Sequence, residues 1–409
     1  TQYSATPPSN PPNKSIKNTP VFVKNIVKRL TVGKIILGII SMDLVIAECR
    51  RRYSDYTLFN AFATGSKKTL EEPPEKFIPR EKIVNKIKTM LTPDKEYSLY
   101  RTISGSHGVG KSTLVRKAAK KVSRGVIYVD VPANFENFGD EFAKALNISF
   151  DKPISLTSAL LRKICGIPLK SGISQDPKWV RALDSFKRGA ETYLKTYGKP
   201  AVIIYDNVNR LALKNPKLLD VLQDDAKDHA DVSEYITLFV TSEGTVKRMQ
   251  GRSSWSRATR TFEIGDMTKV ESMDYLVNKS GIPLREAEQF YNLLGGRIEH
   301  LITAVDLFAE TPSFEECKET LVKRHEATFT EAGINPGGRY HDIAKKVVNV
   351  LLEKGQIGFL EYHKIVNDAK VANFLLATNI FSYHPEKSVI NFHSKIIEFI
   401  IREKIVEIV

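Results

Sequence analysis

A glycine-rich segment that ends in Lys-Ser-Thr is the part of the sequence best suited to chemistry. Residues 105–113 read Gly-Ser-His-Gly-Val-Gly-Lys-Ser-Thr and match the pattern Gly-x-x-x-x-Gly-Lys-Ser/Thr in full. The glycines let the backbone curl so that successive N–H groups face phosphate oxygens. The amine of Lys111 can then reach the β- and γ-phosphates of a nucleotide, and the hydroxyl of Ser112 can bind Mg²⁺. The predicted nucleotide-binding residues are Gly105, Ser106, His107, Gly108, Val109, Gly110, Lys111, Ser112 and Thr113.

A carboxylate that follows a buried strand is the expected partner of this segment. Residues 201–205 read Ala-Val-Ile-Ile-Tyr, an apolar run typical of a buried strand, and Asp206 follows directly. The carboxyl ends of parallel strands meet at one edge of a sheet, which brings Asp206 beside the phosphate-binding segment. We therefore predict that Ser112 and Asp206 hold Mg²⁺ and that Lys111 and Asp206 take part in catalysis.

Alternating strands and helices must position these residues. The pattern predicts strands over residues 97–104, 125–131, 201–205, 235–241 and 259–264, and helices over residues 114–122, 135–146, 155–165 and 176–196. The first strand runs directly into the glycine-rich segment and a helix follows it, which is the context that a phosphate-binding loop requires. We therefore predict an α/β fold with a parallel sheet that helices cover on both faces.

The region after the sheet is predicted to be mostly helical. Residues 268–271 form a capping box, and Gly295 and Gly296 break between two further helices. From residue 340 onward the pattern predicts three helices, a β-rich stretch over residues 380–392 and a last helix.

Taken together, these residues resemble the AAA+/STAND class of P-loop ATPases, and most of all its archaeal-type ATPase branch. The resemblance covers roughly residues 75–405 and implies ATP and Mg²⁺ as ligands. It also implies a P-loop core followed by a helical lid and a small winged-helix domain. The predicted domains are a disordered basic tail (1–20), a basic and apolar helical segment (21–70), the ATPase core (71–265), the helical lid (266–330) and the winged-helix-like domain (331–409).

Further site residues follow from the resemblance alone. Phe77 and Arg80 belong to a Phe-x-x-Arg-Glu box that packs near the adenine in this class, although a charged helix start would look the same. Thr241 or Ser242 ends the fourth strand, where the class has a polar residue near the γ-phosphate. Arg297 follows the two glycines of the lid and is expected to contact nucleotide, with a surface ion pair as the alternative.

An arginine cluster follows the fourth strand, where ring-forming relatives supply an arginine finger to a neighbouring subunit. Its members are Arg252, Arg257 and Arg260, of which Arg257 is the predicted finger. A guanidinium suits the charge that develops at the γ-phosphate. A basic surface loop above Trp255 is the alternative.

The resemblance implies a Mg-dependent ATPase that acts as a nucleotide-gated switch or remodeller. Hydrolytic members usually carry Glu where this chain has Asn207, and an amide can orient a water but is a poor base. The first alternative is therefore a nucleotide-bound scaffold or regulator without turnover. The second is a DNA-associated ATPase that uses the winged helix. Residues 339–409 hold ten basic and eight acidic residues, which favours contact with the ATPase core or a protein partner over DNA.

Charge is concentrated at the start of the chain. Residues 1–70 carry eleven Lys and Arg against three Asp and Glu, whereas the whole chain has a net charge of +14. The basic and apolar residues 21–48 predict a packed helix, a membrane-associated segment or a mitochondrial presequence, and Asp43 argues against a span. We also expect the protein to bind a protein partner or to self-associate. Three widely spaced cysteines exclude a disulfide or zinc framework and agree with an intracellular, reducing compartment.

Overall fold

The computed structural model describes residues 21–66, 78, 80–149 and 176–403. The chain divides into two compact units, and the larger one takes in residues 55–150 and 176–409. All the strands described here belong to that larger unit. The predicted tail over residues 1–20, the predicted helix over residues 155–165 and Phe77 lie outside the described residues.

A parallel sheet forms the centre of the larger unit, as the sequence predicts. Its strands are β1 (Arg101–Ser104), β2 (Val126–Asp130), β3 (Ala201–Asp206), β4 (Tyr235–Val240) and β5 (Phe262–Glu263). Their order across the sheet is β2-β3-β4-β1-β5. Asp130 of β2 pairs in register with Asp206 of β3, so two carboxylates end adjacent strands at the same edge of the sheet.

Helices cover both faces of this sheet because successive residues of a strand point to opposite faces. Ile103 and Tyr128 belong to the core on one face, whereas Tyr100 and Ile127 belong to the core on the other. The helices are α2 (Glu81–Met90), α3 (Lys111–Val122), α4 (Phe138–Ala145), α5 (Lys178–Tyr197), α6 (Asn209–Lys214), α7 (Pro216–Asp231) and α8 (Glu243–Gln250). This arrangement confirms the predicted α/β fold.

A helical region follows the sheet. Thr268 and Glu271 form the predicted capping box at the start of its first helix, and a π-helical turn over Asp274–Lys279 continues it. The chain breaks at Gly295 and Gly296 between two helices, as predicted. The helices are α9 (Lys269–Met273), α10 (Leu284–Leu294), α11 (Ile298–Glu310) and α12 (Phe314–Glu331).

A small domain with a three-stranded antiparallel sheet ends the described chain. Its elements are α13 (His341–Lys354), β6 (Ile357–Gly358), α14 (Phe359–Val366), α15 (Ala369–Ala377), β7 (Phe381–His384), β8 (Val389–Phe392) and α16 (Lys395–Glu403). The strand order is β6-β8-β7. Helix, strand, two helices and a hairpin follow one another in this domain, and its assignment as a winged helix stays a prediction. One hydrophobic core runs from the helical region into this domain and includes Phe290, Leu351 and Ile400.

A 44-residue helix, α1 (Val21–Thr64), precedes the sheet. Its last turns pack in the larger unit, where Ala61 and Phe62 are fully buried. Ser66, just beyond the helix, donates its backbone N–H to Val126 and accepts a hydrogen bond from the N–H of Tyr128, and so pairs the edge strand β2. Several apolar side chains between residues 32 and 56 are exposed. Among the described residues, no helix is long and apolar enough to cross a membrane.

Candidate functional site

A cavity of about 510 Å³ opens at the carboxyl edge of the sheet. Residues that follow β3 and β4 line one part of it, the glycine-rich loop lines another, and α11 contributes a third. The predicted site residues that line it are Arg80, His107, Gly108, Val109, Gly110, Lys111, Ser112, Thr113, Asp206, Asn207, Thr241 and Ser242. The remaining described ones, Gly105, Ser106, Arg257 and Arg297, do not line it.

The glycine-rich loop turns between β1 and α3 through residues in the left-handed region. Gly108 has φ of 79°, and Gly110, the N-cap of α3, has φ of 85°. A Cβ atom at position 108 would lie 2.2 Å from Oε2 of Glu299 and 3.0 Å from its Cβ atom. Only glycine meets both demands. The N-terminus of α3 thereby lines the cavity, which is the arrangement that binds phosphate groups.

Lys111 lies across this loop. Its Nζ donates hydrogen bonds to the carbonyl oxygens of Gly105, at 2.6 Å, and Ser106, at 2.8 Å. Burial lowers the pKa of Lys111, while the carboxylates of Glu243 and Asp206 act in the opposite direction. The ammonium group is therefore placed beside the cavity and is stabilised by negative charge on two sides.

Asp206 and Ser112 form the predicted pair at the end of β3. The Asp206 side chain is 1% exposed and accepts hydrogen bonds from the hydroxyls of Tyr128 and Ser112. Burial raises the pKa of Asp206, and these two hydrogen bonds oppose that shift. Mg²⁺ prefers oxygen ligands and usually takes only one or two from the protein beside nucleotide phosphates. The residues present therefore fit a magnesium ion.

Asn207 is bound to a carboxylate that the sequence analysis missed. Its side-chain Nδ2 donates to Oδ1 of Asp130 at 2.7 Å, and its backbone N–H donates to Oδ1 of Asp206 at 2.8 Å. Asp130 also forms ion pairs with Arg116, at 3.1 Å, and Arg210, at 3.5 Å. Asp130 ends β2, and only the register of β2 with β3 brings it to Asn207. No local motif marks that pairing.

The two candidates at the end of β4 differ in burial. Thr241 is 1% exposed, and its Oγ1 has no hydrogen-bond partner among the described residues. Its backbone N–H donates to the carbonyl of Ile103, which ties the end of β4 to β1. Ser242 is the N-cap of α8 but makes no capping hydrogen bond through its side chain. A buried hydroxyl without a partner beside the cavity makes Thr241 the better candidate for a contact with phosphate or water.

An apolar wall faces the loop across the cavity. Its members, which the sequence analysis missed, are Ile78, Met267, Ile298 and Ile302. They come from three separate segments, so no spacing in the sequence announces them. Arg80, predicted near the adenine, donates to the carbonyl oxygens of Gly265, at 2.8 Å, and Asp266, at 3.0 Å. Arg80 therefore fastens the start of the core to the start of the helical region while it lines the cavity.

Arg297 lies behind the glycine-rich loop, in a second cavity. The side chain is 4% exposed and pairs with Asp266 at 2.6 Å. Its Nη atoms donate to the carbonyl oxygens of His107, at 3.0 Å, and His393, at 2.6 Å. Arg297 does not line the first cavity, and its contact with nucleotide stays a prediction. The ion pair with Asp266 is present, but Arg297 is buried rather than at the surface. The Arg297 guanidinium contacts the glycine-rich loop through the carbonyl oxygen of His107.

The hairpin of the small domain contacts the same loop at a second point. Oγ of Ser106 donates to Oε1 of Glu243 at 2.7 Å and lies 2.8 Å from Oγ of Ser382. Because the Ser106 proton is given to the carboxylate, Ser382 must be the donor in the serine pair. All three side chains are buried, and burial raises the pKa of Glu243.

A third link joins the hairpin to the sheet. Nδ1 of His384 contacts Glu263 of β5, and its Nε2 lies 2.8 Å from Oδ1 of Asn391. Both ring nitrogens therefore face acceptors, which only the cationic imidazolium satisfies. Burial opposes the charge, but the bonds to Glu263 and Asn391 raise the pKa of His384 above its ordinary value.

His107 joins the loop to the helical region at the surface. Its Nδ1 lies 3.2 Å from Oε2 of Glu299 at the start of α11. This hydrogen bond raises the pKa of His107 and lowers the pKa of Glu299 to about 2. Both side chains are largely exposed, so solvent weakens the pair.

The arginine cluster forms ion pairs within the chain. Arg257 pairs with Asp231 at 2.5 Å, Arg252 with Asp220 and Asp224, and Arg260 with Glu386. This agrees with the alternative of a basic surface loop. A contact from Arg257 to a neighbouring subunit stays a prediction.

Comparisons with known proteins identify the family of this chain. Residues 77–304 match the profile of an ATPase domain predominantly from Archaea. The structure is similar to that of a Walker-type ATPase of Pyrococcus abyssi, with a TM-score of 0.52 and 16% identity, over 81% of this chain and 99% of that one. It also matches the ORC2 protein of Aeropyrum pernix, in ADPNP and ADP complexes, with a TM-score of 0.40 and 14% identity over 84% and 100% of the two chains. A comparison with curated proteins finds no match.

Proposed function

Since the chain belongs to the family of ATPase domains found predominantly in Archaea and is an ATP-binding P-loop ATPase, we propose that it binds MgATP in the cavity at the sheet edge and hydrolyses it slowly. We further propose that the bound nucleotide controls how the C-terminal hairpin, residues 381–392, is held against the P-loop. The protein would act as a nucleotide-gated switch.

The chemistry follows from the residues around the cavity. The N–H groups at the start of α3 and the ammonium of Lys111 would bind the β- and γ-phosphates. Ser112 and Asp206 would hold Mg²⁺, which neutralises charge on the phosphate oxygens. Thr241 would hold the attacking water or a γ-phosphate oxygen with its unpartnered hydroxyl. The apolar wall, Ile78 with Met267, Ile298 and Ile302, suits a purine base.

The contact between Ser106 and Ser382 is the observation that carries the switch. When Lys111 turns to bind phosphates, its Nζ must release the carbonyls of Gly105 and Ser106, which frees the loop backbone to rearrange. Ser106 bonds the hairpin through Ser382, and Arg297 donates both to the carbonyl of His107 and to that of His393, the residue after the hairpin. A rearrangement of the loop therefore strains one link to the hairpin and one to the residue that follows it. The nucleotide and the hairpin therefore both contact the same loop, so binding of one affects the contacts of the other.

Binding and turnover are tested together on the full chain. We would measure ATP affinity and steady-state hydrolysis for the wild type, Lys111→Ala and Asp206→Ala. The proposal expects wild-type binding with slow turnover that both substitutions remove. Binding without turnover would favour the alternative of a nucleotide-bound scaffold, because Asn207 is a poor base. No binding in the wild type would reject the proposal.

Other predicted partners have weaker support. DNA readout by the small domain would need cations on α15, which carries Lys370 alone, and Asp368 caps that helix. The exposed apolar side chains of α1, among them Ile35, Leu37 and Val45, suit a protein partner, a second copy of this chain or a membrane surface. Co-sedimentation with lipid vesicles, compared with the oligomeric state in their absence, separates these three proposals.

A further inference from the structure

Asn207 occupies the position at which a carboxylate usually activates water, and a carboxylate stands directly beside it. Oδ1 of Asp130 accepts a hydrogen bond from Nδ2 of Asn207 at 2.7 Å. Asn207 lines the nucleotide cavity, whereas Asp130 does not. Asp130 ends β2 opposite Asp206, and Asn207 directly follows Asp206 at the end of β3, so the register of the two strands brings the two side chains together.

This hydrogen bond fixes which end of the amide is available to the cavity. A carboxylate accepts hydrogen bonds and cannot donate them when ionised, so only the NH₂ group of Asn207 can face Asp130. The carbonyl oxygen, Oδ1, is the side-chain atom left to interact elsewhere. Among the described residues no donor bonds to it. The backbone of Asn207 adds to this constraint, because its φ is 59° and its N–H is bound to Asp206.

We propose that Asp130 is a positioning residue for hydrolysis, which holds Asn207 with its carbonyl oxygen towards the attacking water. The inference rests on the proposed turnover of ATP. Oδ1 of Asn207 supplies a hydrogen-bond acceptor where other hydrolases place a carboxylate. The carboxylate of this site, Asp130, lies at the end of the neighbouring strand. The negative charge of Asp130 also polarises the amide and strengthens Oδ1 as an acceptor.

The step needs no further reactant. The water oxygen, with one hydrogen directed at Oδ1 of Asn207, forms a bond to the γ-phosphorus. The bond from that phosphorus to the bridging oxygen breaks, and its electron pair stays on ADP. The water proton passes to an oxygen of the departing phosphate rather than to the amide, which is too weak a base to keep it. Asn207 therefore orients the water and Asp130 orients Asn207.

A purely structural role for Asp130 is the competing explanation. Its carboxylate pairs with Arg116 and Arg210, and Arg116 also donates to the hydroxyl of Tyr128 at 2.9 Å. Loss of Asp130 would release both arginines, whatever it does for Asn207. The test must therefore restore the orientation at position 207 without restoring the arginine partner.

An exchange of the two side chains does this. We would measure kcat and ATP affinity for Asp130→Asn, for Asn207→Asp and for the double variant that carries both changes. In Asp130→Asn the side-chain amide of Asn207 can flip, so that its carbonyl oxygen no longer faces the cavity. We expect kcat to fall by about tenfold or more with ATP affinity unchanged. In the double variant, an amide at the end of β2 donates to a carboxylate at position 207, and kcat should exceed that of Asn207→Asp, in which two carboxylates face each other.

The outcomes separate the explanations. A double variant no faster than Asn207→Asp would show that Asp130 serves only to anchor the arginines, and would overturn the inference. Asp130→Asn with wild-type kcat would overturn it as well. Asp140→Asn is the matched control, since Asp140 pairs with Lys178 at the surface, and it should leave kcat unchanged. Absence of turnover in the wild type, with ATP still bound, would instead reject the proposed hydrolysis and this inference with it.

Discussion

Oγ of Ser106, in the phosphate-binding loop, lies 2.8 Å from Oγ of Ser382, in the hairpin of the C-terminal domain. The two residues are 276 positions apart in the sequence, and both are buried. A serine of the predicted phosphate-binding loop is therefore also part of the contact with the small domain. Any conformation that the nucleotide imposes on the loop acts on this interface directly.

Removal of the Ser382 hydroxyl measures this coupling. Ser382→Ala should lower the free energy of unfolding by about 1 kcal/mol without nucleotide, because a buried hydrogen bond is lost. With saturating ATP the difference from wild type should shrink, since the rearranged loop no longer makes the contact. Denaturant unfolding with and without ATP gives both values. Ser313→Ala, at an N-cap without a side-chain hydrogen bond, is the control. An equal loss in both conditions would speak against the coupling.

Thr241→Val separates a functional hydroxyl from a structural one. The hydroxyl of Thr241 is buried without a partner among the described residues, so its replacement by a methyl group should leave stability unchanged or raise it by about 1 kcal/mol. Turnover should fall by about tenfold or more if this hydroxyl holds the water or a phosphate oxygen. Ser242→Ala tests the neighbouring candidate in the same assays. A stable variant with wild-type turnover would remove Thr241 from the catalytic account.

Asn207→Glu tests whether the site is a slow hydrolase because it lacks a base. A glutamate at this position reaches further into the cavity than the amide and can polarise the attacking water. We expect kcat to rise by about tenfold or more, with ATP affinity little changed. Steady-state phosphate release measures it. Unchanged turnover would mean that a step other than water activation limits the rate.

The link between His384 and Glu263 should depend on pH. The folded state raises the pKa of His384 above its ordinary value of 6.5. The stabilisation is therefore complete below about pH 6.5 and is lost as the pH rises through the raised value. Wild type should exceed His384→Gln in unfolding free energy at about pH 6, and the difference should narrow by about pH 9. Glu243 also faces His384 and favours the same charged form. A difference that is constant with pH would contradict this assignment.

Site residues could be predicted from the sequence where a local motif lies at the end of a strand in a parallel sheet. The loop over residues 105–113 and Asp206 are brought together because every parallel strand delivers its carboxyl end to one edge. The contact of Asp130 with Asn207 could not be predicted, because a lone carboxylate after an apolar strand is common. Only the register of β2 with β3 brings Asp130 to its partner. The pattern predicts β5 over residues 259–264, whereas the strand comprises only Phe262 and Glu263. The N–H groups of Thr259 and Ile264 still donate to Tyr100 and Ser104 beside it.

The partners of Arg297 likewise could not be predicted from the sequence. Its place after two glycines pointed to a contact with nucleotide. In the structure its guanidinium bonds Asp266 and the carbonyl oxygens of His107 and His393, partners that the sequence did not predict. The last of these partners lies 96 residues further along the chain. Local spacing gives no information on such a partner, because domain packing decides it.

The measurement that tests the central claim most directly is hydrogen exchange of the hairpin over residues 381–392. It would be followed in wild type and in Lys111→Ala, each without nucleotide and with saturating MgATP. The account predicts that ATP increases exchange of the hairpin amides in wild type, because the loop releases Ser382 and loosens the link through Arg297 to His393, just after the hairpin. It also predicts that ATP leaves Lys111→Ala unchanged. Hairpin exchange that is the same with and without bound ATP in the wild type would contradict a nucleotide-gated switch.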